Sequence, residues 1–87
     1  MTLYNFNPDY VIHPGETLRA WIEEHNDSIP AFARRAGMPE QDLRNLLAGK
    51  AEITDKIARK LEFATGIPER FWIRLQWDYD RRIKQAN

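Results

Sequence analysis

The chain has no cysteine. That excludes a disulfide framework and thiolate metal sites, and it fits a reducing cytosol. Also missing is any run near the roughly 20 apolar residues that span a bilayer, and the N-terminus lacks the basic-then-apolar pattern of a secretory signal. A cytoplasmic protein with no membrane partner is expected. Nor is either charge in excess, since 13 Lys and Arg balance 13 Asp and Glu. The broad electropositive field of many nucleic-acid binders is therefore absent, and affinity for a polyanion has to come from local placement. The two histidines, His13 and His25, are too isolated for a metal constellation, and no serine lies in a nucleophile motif with a recognisable base. The carboxylates of "WIEEHND" read as a solvated face. We expect no enzyme, no metal and no cofactor.

What is present suits one small domain over residues 1–87, 43% hydrophobic. A chain of this length buries only about two-thirds of its unfolded surface, so a second copy or a partner would help it. "MTLYNFNPDYVI", residues 1–12, alternates loosely and contains Pro8, which predicts an extended arm. After His13-Pro14-Gly15, Leu18, Trp21 and Ile22 recur at helical spacing and predict a first helix ending near Asn26. Ser28 is an N-cap type, Pro30 is tolerable in a first helical turn, and Gly37 permits a left-handed stop. Pro39 then opens a third helix whose Leu43, Leu46 and Leu47 form one stripe closed by Gly49. Thr54 and Asp55 start a fourth helix, with Ile57, Ala58, Leu61 and Ala64 on one side and Gly66 at its end. A fifth runs from Pro68 to about Lys84. No strand pair, internal repeat or low-complexity tract interrupts this order, so the fold class is all-α, with helix-turn-helix layout over residues 28–49.

The third helix carries the chemistry. At about 100° per residue, turning its leucines inward puts Gln41 and Asn45 almost opposite them, with Arg44 and Asp42 on the flanks. Glutamine and asparagine pair bidentately with adenine, arginine with guanine, and a carboxylate accepts from the cytosine amino group. These four are the candidate base readers, although any amphipathic helix shows a polar face opposite an apolar one. Ser28, Arg34, Arg35, Lys50, Thr54 and Lys56 are the candidates by position for phosphate contacts. On the fifth helix Phe71, Trp72, Leu75 and Tyr79 share a broad side, while Ile73 and Trp77 lie on another that one core does not easily cover. Phe63 sits off the fourth-helix stripe, so Phe63, Ile73 and Trp77 are candidates for a dimer or partner interface, unless the N-terminal arm covers them.

In order along the chain, "HPGE" at 13–16, "ARRAG" at 33–37, "LLAGK" at 46–50, "IT" at 53–54 and "FWIRLQWDYD" at 71–80 resemble the HigA/VapI antitoxins. These form a branch of the lambda-repressor-like (XRE) helix-turn-helix proteins, and the likeness covers nearly the whole chain after the first residues. It implies a five-helix DNA-binding domain with a C-terminal dimerisation helix. It also implies a dimer that binds double-stranded operator DNA, represses its own operon and neutralises a RelE-like ribonuclease toxin. The chain departs from the family pattern where a phosphate is gripped. Ile29 stands where family members usually carry Gln, and Pro30 removes an amide donor. Met38-Pro39 replaces a frequent Ser or Thr cap, and Ala48 replaces a common Asn. The competing expectation is therefore a protein-interaction module on the same scaffold, with weak or no DNA binding.

Overall fold

The computed structural model describes residues 11–86. Five helices follow one another in it: α1 (Pro14–Glu24), α2 (Ile29–Ala36), α3 (Glu40–Leu47), α4 (Asp55–Thr65) and α5 (Glu69–Ala86). No strand occurs among the described residues. The arm expected over residues 1–12 lies outside them, apart from Val11 and Ile12, which are not helical.

Local chemistry sets the helix boundaries. The His13 side chain caps α1 through Nδ1, which accepts the Gly15 amide at 2.9 Å. Ser28 Oγ accepts the Ala31 amide at 3.1 Å and starts α2, and Thr54 Oγ1 accepts the Ile57 amide at 3.2 Å and starts α4. Each supplies a partner for an N–H that the helix itself leaves unsatisfied. Gly37 stops α2 at φ 71°, a left-handed conformation that costs glycine little, and Lys60 Nζ donates to its carbonyl at 2.7 Å. The α3 helix has no side-chain cap, because Pro39 occupies that position and offers only its carbonyl, which accepts the Leu43 amide at 3.2 Å. Two boundaries differ from expectation. Helix α1 stops at Glu24 with His25 as its C-cap, where Nδ1 lies 2.8 Å from the Trp21 carbonyl and the ring stacks on Trp21. Helix α5 continues past Lys84 to Ala86.

Packing follows the apolar stripes. Helix α1 lies against α3 and α5, α2 against α3 and α4, and α4 against α5. Leu18, Phe32, Leu43, Leu61 and Trp72 are fully buried where these faces converge. Close approach of α1 to α3 requires Gly15, since a Cβ there would run into the Leu46 carbonyl. Along α5 the buried positions are Trp72 and Gln76, with Leu75 and Tyr79 half-buried beside them. Phe71 departs from the inward side expected for it: it is exposed and meets Trp72 edge to face. The indole N–H of Trp72 has no acceptor among the described residues.

Candidate nucleic-acid interface and association surface

Helices α2 and α3 are joined by the Gly37 turn, with Met38 buried beneath it. Leu43, Leu46 and Leu47 are all buried, so the opposite edge of α3 faces out. Gln41, Asp42 and Arg44 are exposed there and Asn45 is half-buried. Gln41 Nε2 donates to Asn45 Oδ1 at 3.1 Å. The pair keeps the Gln41 carbonyl and the Asn45 amino group for other partners, and an acceptor beside a donor complements the N6 and N7 edge of adenine. Arg44 is held differently. Its Nε and Nη2 both donate to Glu40 Oε2, at 3.0 and 2.7 Å, an i,i+4 ion pair with both side chains well exposed. Exposed pairs of this kind are worth about 0–1 kcal/mol, so a guanine or a phosphate competes for the guanidinium at small cost.

The candidate phosphate contacts surround this edge unevenly. The Ser28 and Thr54 oxygens act as helix caps, which leaves each hydroxyl hydrogen available as a donor. Arg34, Lys50 and Lys56 are exposed and form no ion pair among the described residues. Arg35 is engaged: Nη2 donates to Asp27 Oδ2 at 2.7 Å and to the Ala64 carbonyl at 3.4 Å, and the guanidinium lies over the Phe32 ring. The Arg35 hydrogen bond holds the Asp27 carboxyl below the usual carboxylate range against the opposing effect of burial, and the Ser28 amide adds to it. Ile29 is partly buried against the core, in place of a polar side chain at the start of α2.

The other candidate surface is on α5. Trp77 is 64% exposed, with the Arg81 guanidinium 5.4 Å from its ring centroid. Ile73 joins it in an open groove with Arg70, Arg74 and Asp78. Phe63 on α4 is 77% exposed and does not line this groove. Reading the chain alone missed Gln76, buried between α5 and the segment joining α3 to α4. Its signal was position: it follows Trp72 by one helical turn on the inward face. Among the described residues no group of three or more His, Asp or Glu is placed to hold a metal ion, and no helix is long and apolar enough to cross a membrane.

No family model matches the chain. It is 33% identical over 63 residues to the uncharacterized HTH-type transcriptional regulator YddM of Escherichia coli K12, covering 72% of this chain and 67% of that one. The addiction module antidote protein of the HigA family from Coxiella burnetii is 30% identical. It superposes with a TM-score of 0.76 over 83% of this chain and 79% of that one. The chain belongs to the HigA family of helix-turn-helix proteins. Another family member, the Pseudomonas aeruginosa antitoxin HigA, was solved with the higBA promoter. It is 27% identical, with a TM-score of 0.84 over 88% of this chain and 85% of that one. The five-helix order therefore accords with the family fold, and the α2–turn–α3 unit is its helix-turn-helix.

Proposed function

We propose that this HigA-family chain is a cytoplasmic, DNA-binding antitoxin that folds as one domain. In this reading it binds operator DNA as a dimer, represses its own operon and neutralises a RelE-like toxin, without catalysis. The observation that carries the reading is the outer edge of α3, where Gln41, Asn45 and Arg44 stand exposed or half-exposed opposite three buried leucines. Its support in the family is the Pseudomonas aeruginosa HigA structure that holds promoter DNA. Gln41, Asp42, Arg44 and Asn45 read bases in the major groove. Ser28, Arg34, Lys50, Thr54 and Lys56 grip the flanking phosphates, and Arg35 does so after exchanging Asp27 for a phosphate. Phe63, Ile73 and Trp77 meet a second copy or the toxin. Because the chain carries no net charge, each monomer binds modestly, and occupation of two half-sites by a dimer supplies the affinity.

A second reading has specific support. Pro30 has no amide, Ile29 is tucked against the core and Ala48 offers no polar side chain at the end of α3. All three favour a module that acts by protein contact alone. Titration of the purified protein with its own upstream DNA at two salt concentrations separates the two. Specific binding that weakens steeply with salt supports the repressor. No binding, together with a stable complex with the co-expressed neighbouring gene product, supports the contact module.

A further inference from the structure

If α3 and its flanks meet DNA, as proposed above, something has to hold the flank that follows α3 in register. Gln76 is the buried polar side chain of the described residues, 7% exposed. Its Oε1 accepts the Ile53 amide at 2.8 Å, across 23 positions of sequence, and its Nε2 donates to Asp80 Oδ1 at 2.9 Å. Chemistry dictates which way the amide faces. An N–H needs the oxygen and a carboxylate needs the NH2, so Asp80 selects the orientation that serves Ile53.

Ile53 lies in the segment between Lys50 and Thr54, two of the phosphate candidates. The Lys50 amide is bonded back to the Asn45 carbonyl at 2.8 Å, and the Thr54 carbonyl accepts the Ala58 amide at 2.8 Å. Between those two anchors the Ile53 amide is tied to α5 instead of to neighbouring backbone. The Ile53 side chain is buried as well, at 5% exposure. A second contact secures the same corner: the His13 ring that caps α1 meets Tyr79 of α5 edge-on at 4.7 Å and lies beside Gly49. His13, Gly49, Lys50, Gln76 and Asp80 all border one shallow cleft there.

We propose that Gln76, oriented by Asp80, is the positioning residue for the phosphate-gripping α3–α4 connection, so that DNA affinity depends on a side chain of α5 that itself touches no DNA. Losing the bond leaves Lys50 and Thr54 each on its own backbone anchor but frees the stretch between them, so that the two no longer keep a fixed spacing along the phosphates. The loss falls on backbone grip, and the base preference set by α3 persists.

The test compares wild type, Gln76→Leu, Gln76→Glu and the double variant Gln76→Glu/Asp80→Asn in the full chain. The readouts are Kd for the upstream duplex and a scrambled duplex across a salt series, the amide exchange rate of Ile53, and the unfolding midpoint. Leucine keeps the volume and removes both hydrogen bonds. We expect faster Ile53 exchange, affinity weaker on the order of tenfold for both duplexes, and a salt slope shallower by roughly 1. Glutamate alone can still accept the Ile53 amide but loses the donor to Asp80. It sets two carboxylates against each other, which pushes the side chain off that amide and speeds Ile53 exchange. In the double variant the carboxamide introduced by Asp80→Asn gives the new carboxylate a donor, and the slope returns toward the wild-type value. A merely structural role would lower the midpoint and leave the slope unchanged, which overturns the inference. Should Gln76→Leu not fold, the single and double glutamate variants decide through Ile53 exchange read beside the slope. Exchange and slope that both return toward wild type in the double variant support the inference. A slope that changes while Ile53 exchange stays unaltered reports charge alone and overturns it. Wild-type protein that shows no salt-dependent binding defeats the DNA reading and this inference together. Wild-type binding with an unaltered Gln76→Leu slope defeats this inference alone.

Discussion

All three leucines of α3 are buried, whereas the tryptophans of α5 divide, Trp72 having no exposed surface and Trp77 keeping 64% of its own. The difference follows from length. An eight-residue helix such as α3 uses its whole apolar stripe against α1 and α2, and what remains to present is polar. The 18 residues of α5 carry apolar groups on more than one face, and α1 and α4 cover only one of them. One helix thus presents a polar, hydrogen-bonding edge, and the other an apolar patch of Ile73 and Trp77 set among Arg70, Arg74 and Arg81.

The two faces of α5 should respond very differently to truncation. Replacing Trp72 with alanine is expected to cost about 3–5 kcal/mol in denaturant unfolding, the range for a fully buried aromatic, which leaves a chain of this size little stability. Trp77→Ala is expected to change stability by no more than about 0.5 kcal/mol, as exposed substitutions do. Equal costs would mean that the two faces are not divided. If the Trp77 face joins two copies, Trp77→Glu converts the dimer to monomer in sedimentation, and the unfolding midpoint loses its dependence on protein concentration. A dimer that survives this substitution removes the association role from α5.

Smaller effects sharpen the α3 side. Glu40→Gln releases Arg44 and removes a negative charge from the proposed DNA-facing edge. It is expected to raise duplex affinity severalfold and steepen its salt dependence, while stability changes by less than about 1 kcal/mol. Unchanged affinity in a salt series would show that Glu40 neither restrains Arg44 nor opposes the duplex. The smallest effect concerns the Asp27–Arg35 pair. Because Asp27 is held ionised below the ordinary carboxylate value, its contribution is fully present above about pH 3.9. It is lost as pH falls through the folded-state value, since the unfolded chain then binds the proton first. The contribution is at most about 1 kcal/mol for a pair with this exposure. Asp27→Asn should remove that part of the acid dependence, as read from unfolding midpoints between pH 5 and 2.

Features governed by local chemistry were legible in the chain itself. Ser28 and Thr54 cap where their side-chain types predict, Gly37 and Gly66 end helices in left-handed conformations, and the α3 leucines are buried as their spacing requires. Features decided by distant partners were not. Gln76 carries no apolar signal, and only the Ile53 amide arriving from 23 positions away makes its burial favourable. Phe71 is apolar and adjacent to Trp72, yet the neighbouring helices leave it outside. The engagement of Arg35 with Asp27 and of Arg44 with Glu40 was likewise hidden, because each cation had several acceptors within reach along the chain.

The claim that α3 reads bases is tested most directly by measuring Kd for the upstream duplex and a scrambled duplex, with wild type and with Gln41→Ala, Arg44→Ala and Asn45→Ala combined. The account predicts that wild type prefers the upstream sequence, and that the triple variant binds both duplexes alike while remaining folded and salt-sensitive. A triple variant that keeps the wild-type preference would contradict it.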